Sequence, residues 1–242
     1  MTLVERIQAT GIRRLGRKGG FRYKRSGGGR PSAADLARIE ALRIPPAWRD
    51  VAIHPSPRGA VQAVGRDAAG RWQYLYHEAH AARQEKRKYE RLLRFGRMLP
   101  TMRAKMKNDL ALRGLPREKV LGCALRIISF CLLRGGSRVY AEENGSYGLS
   151  TLRRRHVSVS GDLVSFDFPG KSGKRQRQEI RDARVARIVR ELVRGPGEVF
   201  KYRDESGAWV NISRRHINQY IKESMGEGFS AKDFRTWAAT LV

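Results

Sequence analysis

The sequence predicts an α+β protein in two domains. Residues 1–80 form a small N-terminal antiparallel β-sheet domain, and residues 81–242 a larger, mainly α domain with a small β-hairpin. Three observations carry this prediction. Between Val51 and Tyr76 apolar residues recur with period two. After His80 they recur at spacings of three and four. Further on, VSVSGDLVSFDF alternates again around a Ser-Gly-Asp turn, so one hairpin interrupts the helices.

Element by element, residues 1–34 are rich in Gly, Arg and Lys, with isolated aromatics at Phe21 and Tyr23. They suit either a flexible basic arm or a loop or short strand that orders on phosphates. Ser32 and Asp35 have capping-box spacing, which predicts a short helix through Leu36, Ile39 and Leu42, stopped by Pro45-Pro46. Val61, Ala63, Trp72, Tyr74 and Tyr76 alternate with polar residues around Asp-Ala-Ala-Gly, a hairpin signal. A strand there sends Trp72, Tyr74 and Tyr76 to one face, and Gln73 and Leu75 to the other.

Next comes ARQEKRKYERLLRFGRM, a charged helix with a stripe through Tyr89, Leu92, Leu93 and Phe95. A second helix, TMRAKMKNDLALRG, is set off by Gly114 and Pro116 from REKVLGCALRIISFCLLR. The last is apolar almost all round, as the central buried helix of a domain must be. DARVARIVRELVRGPG buries Val185, Ile188, Val189, Leu192 and Val193, with Asp182 as cap and Gly195-Pro196 as stop.

Composition narrows the function. The chain has 242 residues and a formal charge of +27, with an excess of 14 in residues 1–100 and 13 in residues 101–242. Charge of that size opposes folding by self-repulsion. A polyanion spanning both halves offsets it through counterion release, so nucleic acid is the expected partner. Two basic lobes hinged near residues 78–90 suit a clamp around double-stranded DNA. No apolar run suits a membrane span, no long basic amphipathic helix with a strong apolar face suits a membrane surface, and the first residues lack a signal-peptide core. Cys123 and Cys131, eight residues apart in one helix, stand roughly 12 Å from each other, too far for a disulfide. Reduced thiols and a cytoplasmic location follow.

Metal and nucleotide chemistry find no support. The five histidines are scattered, with only His77 and His80 close together, and CxxC, HExxH and tight acidic clusters are missing. GRKGG and SGGGR do not fit a phosphate loop. What remains is cationic chemistry on phosphate. Arg134 ends the buried helix in LLRGGSRVYAEENGSYGLSTL, Lys171 and Lys174 lie in the glycine-rich turn of FDFPGKSGKRQRQ, and Arg235 sits between Phe234 and Trp237 in KDFRTW. Any one alone is most simply a snorkelling charge or a surface ion pair.

Together these stretches resemble the type IB DNA topoisomerases of the short bacterial and poxvirus kind. RIPPAWRDVAIHPSPRGAVQAVGRDAAGRWQYLYH is similar to the family's N-terminal sheet domain, and YAEENGSYGLSTLRRRHV, FPGKSGK and AKDFRTWA to its catalytic domain. The resemblance implies that Arg134 and Arg235 are the two catalytic arginines and Lys171 the catalytic lysine. It implies that Gln73, Tyr74 and Tyr76 contact DNA in the major groove and that Tyr140 contacts a phosphate. Supercoiled DNA would be relaxed by transient single-strand cleavage through a 3′-phosphotyrosyl intermediate, by a bacterial monomer that needs no ATP, metal or cofactor and works in the cytoplasm at the nucleoid.

Two departures matter. Where the family has Arg-hydrophobic-Gly-Asn this chain has Arg134-Gly135-Gly136-Ser137, an extra glycine that loosens the backbone. The family's histidine or asparagine, and then its tyrosine nucleophile, come some tens of residues after KDFRTW, whereas this sequence runs seven residues past Arg235. Phe234, Trp237, Ala238 and Leu241 make a helix face with no stop signal after it. The nucleophile is therefore expected outside these residues, Tyr220 is expected to be a helix-packing residue, and the isolated chain is expected to be inactive. Two rivals stand beside this reading. A tyrosine recombinase shares the catalytic fold, but has His-x-x-Arg where this chain has Lys232-Asp233-Phe234-Arg235 and lacks the WQYLYH sheet domain. A non-catalytic clamp would bind duplex DNA on a degenerate topoisomerase scaffold.

Overall fold

In the computed structural model, which describes residues 1–17 and 19–241, the chain divides into two units, Met1–Tyr89 and Glu90–Val242. The division falls nine residues beyond the boundary expected at residue 80. Lys18, in the GRKGG stretch, and Val242 lie outside the described residues.

The N-terminal unit begins with α1 (Leu3–Thr10), closed by a capping box in which Thr2 accepts from the Glu5 N–H and the Glu5 carboxylate accepts from the Thr2 N–H. Strands β1 (Ile12–Leu15) and β2 (Arg22–Arg25) follow, then α2 (Ala33–Ala41), β3 (Arg49–Ile53), β4 (Val61–Arg66) and β5 (Trp72–Tyr76). The strands form one antiparallel sheet in the order β2-β1-β3-β4-β5. Val4 and Ile7 of α1 pack with Ala52, Val61 and Val64, while Ile39 of α2 packs with Ile12, Val51, Ile53 and Ala63. Both faces of the sheet are therefore covered.

Among its described residues the stretch 1–34 is thus not a flexible arm but carries the two short strands β1 and β2, paired within the sheet. Two of its arginines, Arg14 and Arg25, are bonded within the fold. The Arg14 guanidinium donates to the carbonyls of Pro45 and Trp48 and lies 4.2 Å over the Phe21 ring. Its burial lowers its pKa. The cap of α2 is as expected, with Asp35 accepting from Ser32 and pairing with Arg25. Leu36, however, is exposed; the helix buries Asp35 and Ile39.

Helix α3 (Glu78–Asp109) spans the division between the units, and in it the two expected helices are one, continuing through Pro100. Pro100 is exposed, and its ring leaves the carbonyl of half-buried Gly96 without its helical donor. Of the expected stripe, Leu92 and Phe95 are buried while Tyr89 and Leu93 are exposed. The C-terminal unit is built on α4 (Arg117–Cys131), whose Val120, Leu121, Ala124, Leu125, Ile127 and Ile128 are buried. At about 1.5–3 kcal/mol for each large apolar side chain, this helix is the unit's main anchor.

After α4 come α5 (Arg138–Asn144), β6 (Val157–Ser160), β7 (Leu163–Pro169), β8 (Arg175–Arg181) and α6 (Ala183–Leu192). β6, β7 and β8 make a three-stranded sheet, one strand more than the hairpin expected, and α6 packs on β6 and β7. A hairpin of β9 (Lys201–Arg203) and β10 (Trp209–Asn211), not foreseen, leads to α7 (Arg214–Met225) and α8 (Ala231–Ala238). α4 touches α6, α7, α8, β8 and β9, so elements distant in sequence meet on one helix. Cys123 and Cys131 are free and buried within it. Among the described residues no helix is long and apolar enough to cross a membrane.

Candidate functional site

Arg134 leaves the end of α4 through Leu132, whose φ of +54° lies in the left-handed region. That conformation costs a leucine about 1–2 kcal/mol, and the buried Leu133 next to it fixes the exit. The following backbone is not loose. The Arg134 carbonyl accepts from the Leu149 N–H at 2.8 Å and the Gly135 carbonyl from the Ser150 N–H at 2.9 Å. The extra glycine is held rather than free.

Lys171 is placed by the turn between β7 and β8, whose register runs from Leu163 opposite Arg181 to Pro169 opposite Arg175. Gly170 donates to the Lys174 carbonyl at 2.8 Å, closing the turn. Arg175 and Arg177 take up Asp167, and the hydrogen bond from Arg175 holds that carboxyl below the usual range.

Arg235 rides on α8, which Ser230 and Asp233 cap as a box. Arg91 grips Asp233 with two bonds of 2.9 and 2.8 Å, a fork-on-fork pair. Beside it Phe95 meets Phe234 edge-on at 4.9 Å and Trp237 at 6.0 Å. Trp237 lies so close to Gly96 that a Cβ there would come within 2.5 Å of its ring. The Arg235 Nε is buried with no hydrogen-bond partner. Burial, and next the charge of Arg134, lowers the Arg235 pKa.

These three side chains line one cleft of about 900 Å³. Arg214 at the start of α7 and Lys232 on α8 line it too, with Tyr140, Asn144, Tyr147, Ser172 and Asn218. Five cations therefore face one space, and none has a carboxylate within 4.0 Å among the described residues. Such a set suits an anion with several oxygens. Lys174 lies on a second, smaller recess that shares Arg134, Lys171 and Arg235.

Sequence reasoning did not find Arg214 or Lys232. Lys232 stands three residues before Arg235 on one helix face, a spacing that could have flagged it. Tyr147 was also missed. Its hydroxyl accepts from Arg155 and its ring lies 4.4 Å from buried His156. The His156 pKa is lowered by burial, then by Arg155 and Arg153. Tyr220 is a packing residue, as expected: it is fully buried, donates to Asp109 at 2.6 Å and lies under Lys105. Burial raises its pKa far above the ordinary value.

Gln73, Tyr74 and Tyr76 are on β5 in the N-terminal unit. Tyr74 and Tyr76 are exposed and stacked with centroids 6.4 Å apart, and Tyr76 stacks on His80 at 5.4 Å. Gln73 is half-buried and donates to Asp67 at 2.9 Å.

Comparison with known proteins addresses the family. Residues 78–242 match the family described as eukaryotic DNA topoisomerase I, catalytic core, and residues 20–67 the bacterial DNA topoisomerase IB N-terminal domain. A DNA topoisomerase 1B of Acanthamoeba polyphaga mimivirus is 37% identical over 212 residues, covering 86% of this chain and 63% of that protein. The DNA topoisomerase 1B of Vaccinia virus (strain Copenhagen) is 23% identical over 178 residues, 72% of this chain and 53% of that one. The chain thus spans between half and two thirds of the length of these relatives. Among solved structures, a XerH site-specific recombinase bound to its difH substrate aligns at a TM-score of 0.39 and 11% identity, over 59% of this chain and 41% of that one, too distant to carry weight. With family matches over part of its N-terminal sheet and over its cationic C-terminal unit, the chain belongs to the type IB DNA topoisomerases.

Proposed function

We propose that this chain supplies the phosphodiester-binding and proton-donating part of a topoisomerase that relaxes duplex DNA through a 3′-phosphotyrosyl intermediate. The observation that supports it most is the convergence of Arg134, Lys171 and Arg235, from three separate elements, on one cleft without a carboxylate partner. In the reaction a tyrosine oxygen attacks phosphorus, the bond to the 5′ oxygen breaks, and the freed 5′ end swivels before the strand reseals. Arg134 and Arg235 fork onto the non-bridging oxygens as charge gathers there, the Arg235 Nε–H gaining the partner it lacks. Lys171 gives its proton to the leaving 5′ oxygen.

The attacking tyrosine, in this reading, is none of those in the C-terminal unit described above. Tyr220 is buried and bonded to Asp109, and Tyr147 is engaged by Arg155 and His156. Tyr140 is exposed on the cleft and serves as a phosphate contact. The 242 residues alone then bind DNA without cutting it, which is also what a non-catalytic clamp would do.

Plasmid relaxation separates the two. The chain alone should neither relax supercoiled plasmid nor leave a denaturant-stable adduct. The same chain joined to a family C-terminal segment with its tyrosine should relax plasmid in EDTA without ATP. There, Lys171→Ala should slow cleavage about 10²–10⁴-fold, with much of the loss recovered on a 5′-thiol substrate that needs less protonation. An adduct through Tyr140 in the unextended chain would overturn the assignment of the nucleophile. No relaxation by the extended chain would leave the binding-only alternative.

A further inference from the structure

We propose that residues Tyr147–Ser150 are a strap that sets the spacing of the two walls of the cleft, and that Gly148 is a positioning residue for Arg134. The proposal rests on the phosphodiester reading above and adds a residue to it. Within four residues the strap makes three backbone bonds to both walls. The Tyr147 N–H donates to the Pro169 carbonyl at 2.8 Å, two residues before Lys171. The Leu149 and Ser150 N–H groups donate to the Arg134 and Gly135 carbonyls at 2.8 and 2.9 Å. The lysine wall and the arginine wall are thereby tied to one short segment.

Gly148 sits at the centre and needs its missing side chain for room. Its φ of −150° and ψ of 177° are extended, open to any residue. A Cβ on it, however, would lie 2.6 Å from both the Cα and the N of Gly136 and 2.8 Å from the Arg134 carbonyl oxygen. All three are backbone atoms, which cannot swing aside. Gly136, at φ +92°, meets the strap from the other side: its own Cβ would come 2.9 Å from Ser150 Oγ and 3.0 Å from the Gly148 carbonyl carbon. The two glycines let the chains touch.

The strap is also locked in place. The Thr151 hydroxyl accepts from the Gly148 N–H at 3.0 Å and donates to the Gly148 carbonyl at 2.9 Å, and residues 148–152 are buried. A phosphate held by two guanidiniums depends on their separation, and a displacement near 1 Å can cost about 10²-fold in rate. Alanine at 148 must move the backbone of residues 134–136, hence Arg134, while leaving Arg235 on α8 where it is.

The test uses the whole chain and inorganic tungstate as a tetrahedral oxyanion, read by the Nε–Hε resonances of Arg134 and Arg235. In the unaltered protein tungstate should shift both. Gly148→Ala should weaken tungstate roughly tenfold or more, lose the Arg134 shift and keep that of Arg235, with duplex affinity changed less than about twofold because phosphate contacts elsewhere dominate it. A variant that merely loosens the fold would weaken both arginine responses together, and that result overturns the proposal. Unchanged tungstate affinity with both shifts intact overturns the strap alone. No response of either arginine in the unaltered protein overturns the phosphodiester reading, and the strap with it. If Gly148→Ala does not fold, Thr151→Val removes the lock without adding bulk and should weaken tungstate by a smaller factor, again at Arg134 first; equal affinity there counts against the strap.

Discussion

Gln73 is already occupied: its amide donates to Asp67, the acceptor that organises the turn before β5. Asp67 keeps other partners, the backbone N–H groups of Ala69 and Arg71 and the Arg71 side chain. Gln73→Ala should therefore barely change the melting temperature. If Gln73 also reads the major groove, duplex affinity should fall by about 1–3 kcal/mol, the worth of a good side-chain-to-base pair. A lower melting temperature with unchanged affinity would make Gln73 a turn residue only. Arg235 shows why single residues are hard to read from sequence. Its motif was legible, but neither the buried, unpartnered Nε nor the charge of Arg134, about 100 residues away in sequence, that acts on it can be read from a local pattern.

Among the elements, α8 depends on its seat against α3. Gly96 admits the Trp237 ring, and Arg91 holds Asp233. Gly96→Ala should destabilise the C-terminal unit by about 1–3 kcal/mol, the usual cost of overpacking, seen as a lower denaturant midpoint. Gly228→Ala, where a Cβ meets nothing within 4 Å, is the control and should be near neutral. Elements with a strong apolar period were legible: α4, α6, and the alternating strands β4 to β7. So were the caps at Ser32 and Asp182. β1 and β2 were only ambiguously legible because their residues are mostly arginine and lysine, and what makes them strands is backbone pairing with each other and with β3, with Ile12 in the core. β9 and β10, of three residues each, are too short to show a period. The two helices expected on either side of Leu99-Pro100 are one, and the core residues Leu99 and Met102 flanking the proline hold it together.

At the level of the whole molecule, the charge of +27 divides nearly evenly along the chain, and five of its cations line the cleft without a carboxylate partner among the described residues. Duplex binding should therefore fall steeply with salt, by roughly 0.9 log units of affinity per log unit of salt for each phosphate neutralised. Filter binding or anisotropy from 50 to 200 mM salt measures it. A flat response, or preference for anionic vesicles over DNA, would contradict the proposed partner. The two-unit architecture was legible from the change of period near His80; the exact division was not, because α3 belongs to both units by contact and gives no break in pattern.

The two thiols of α4 turn that helix into a clock. Cys123 is fully buried, and burial pushes its ionisation far up; Cys131, near the Arg134 end, is pushed up to about 11 and donates to the Glu179 carbonyl. Only thiolate alkylates, so neither reacts until the chain around it opens. Under native conditions iodoacetamide should mark Cys131 well before Cys123, the first rate timing the fraying of the helix end that carries the arginine, the second the loss of the whole unit. If DNA or tungstate slows the first and spares the second, the arginine's tether is the part that moves when the cleft is empty; equal rates would mean that helix end and core open only together.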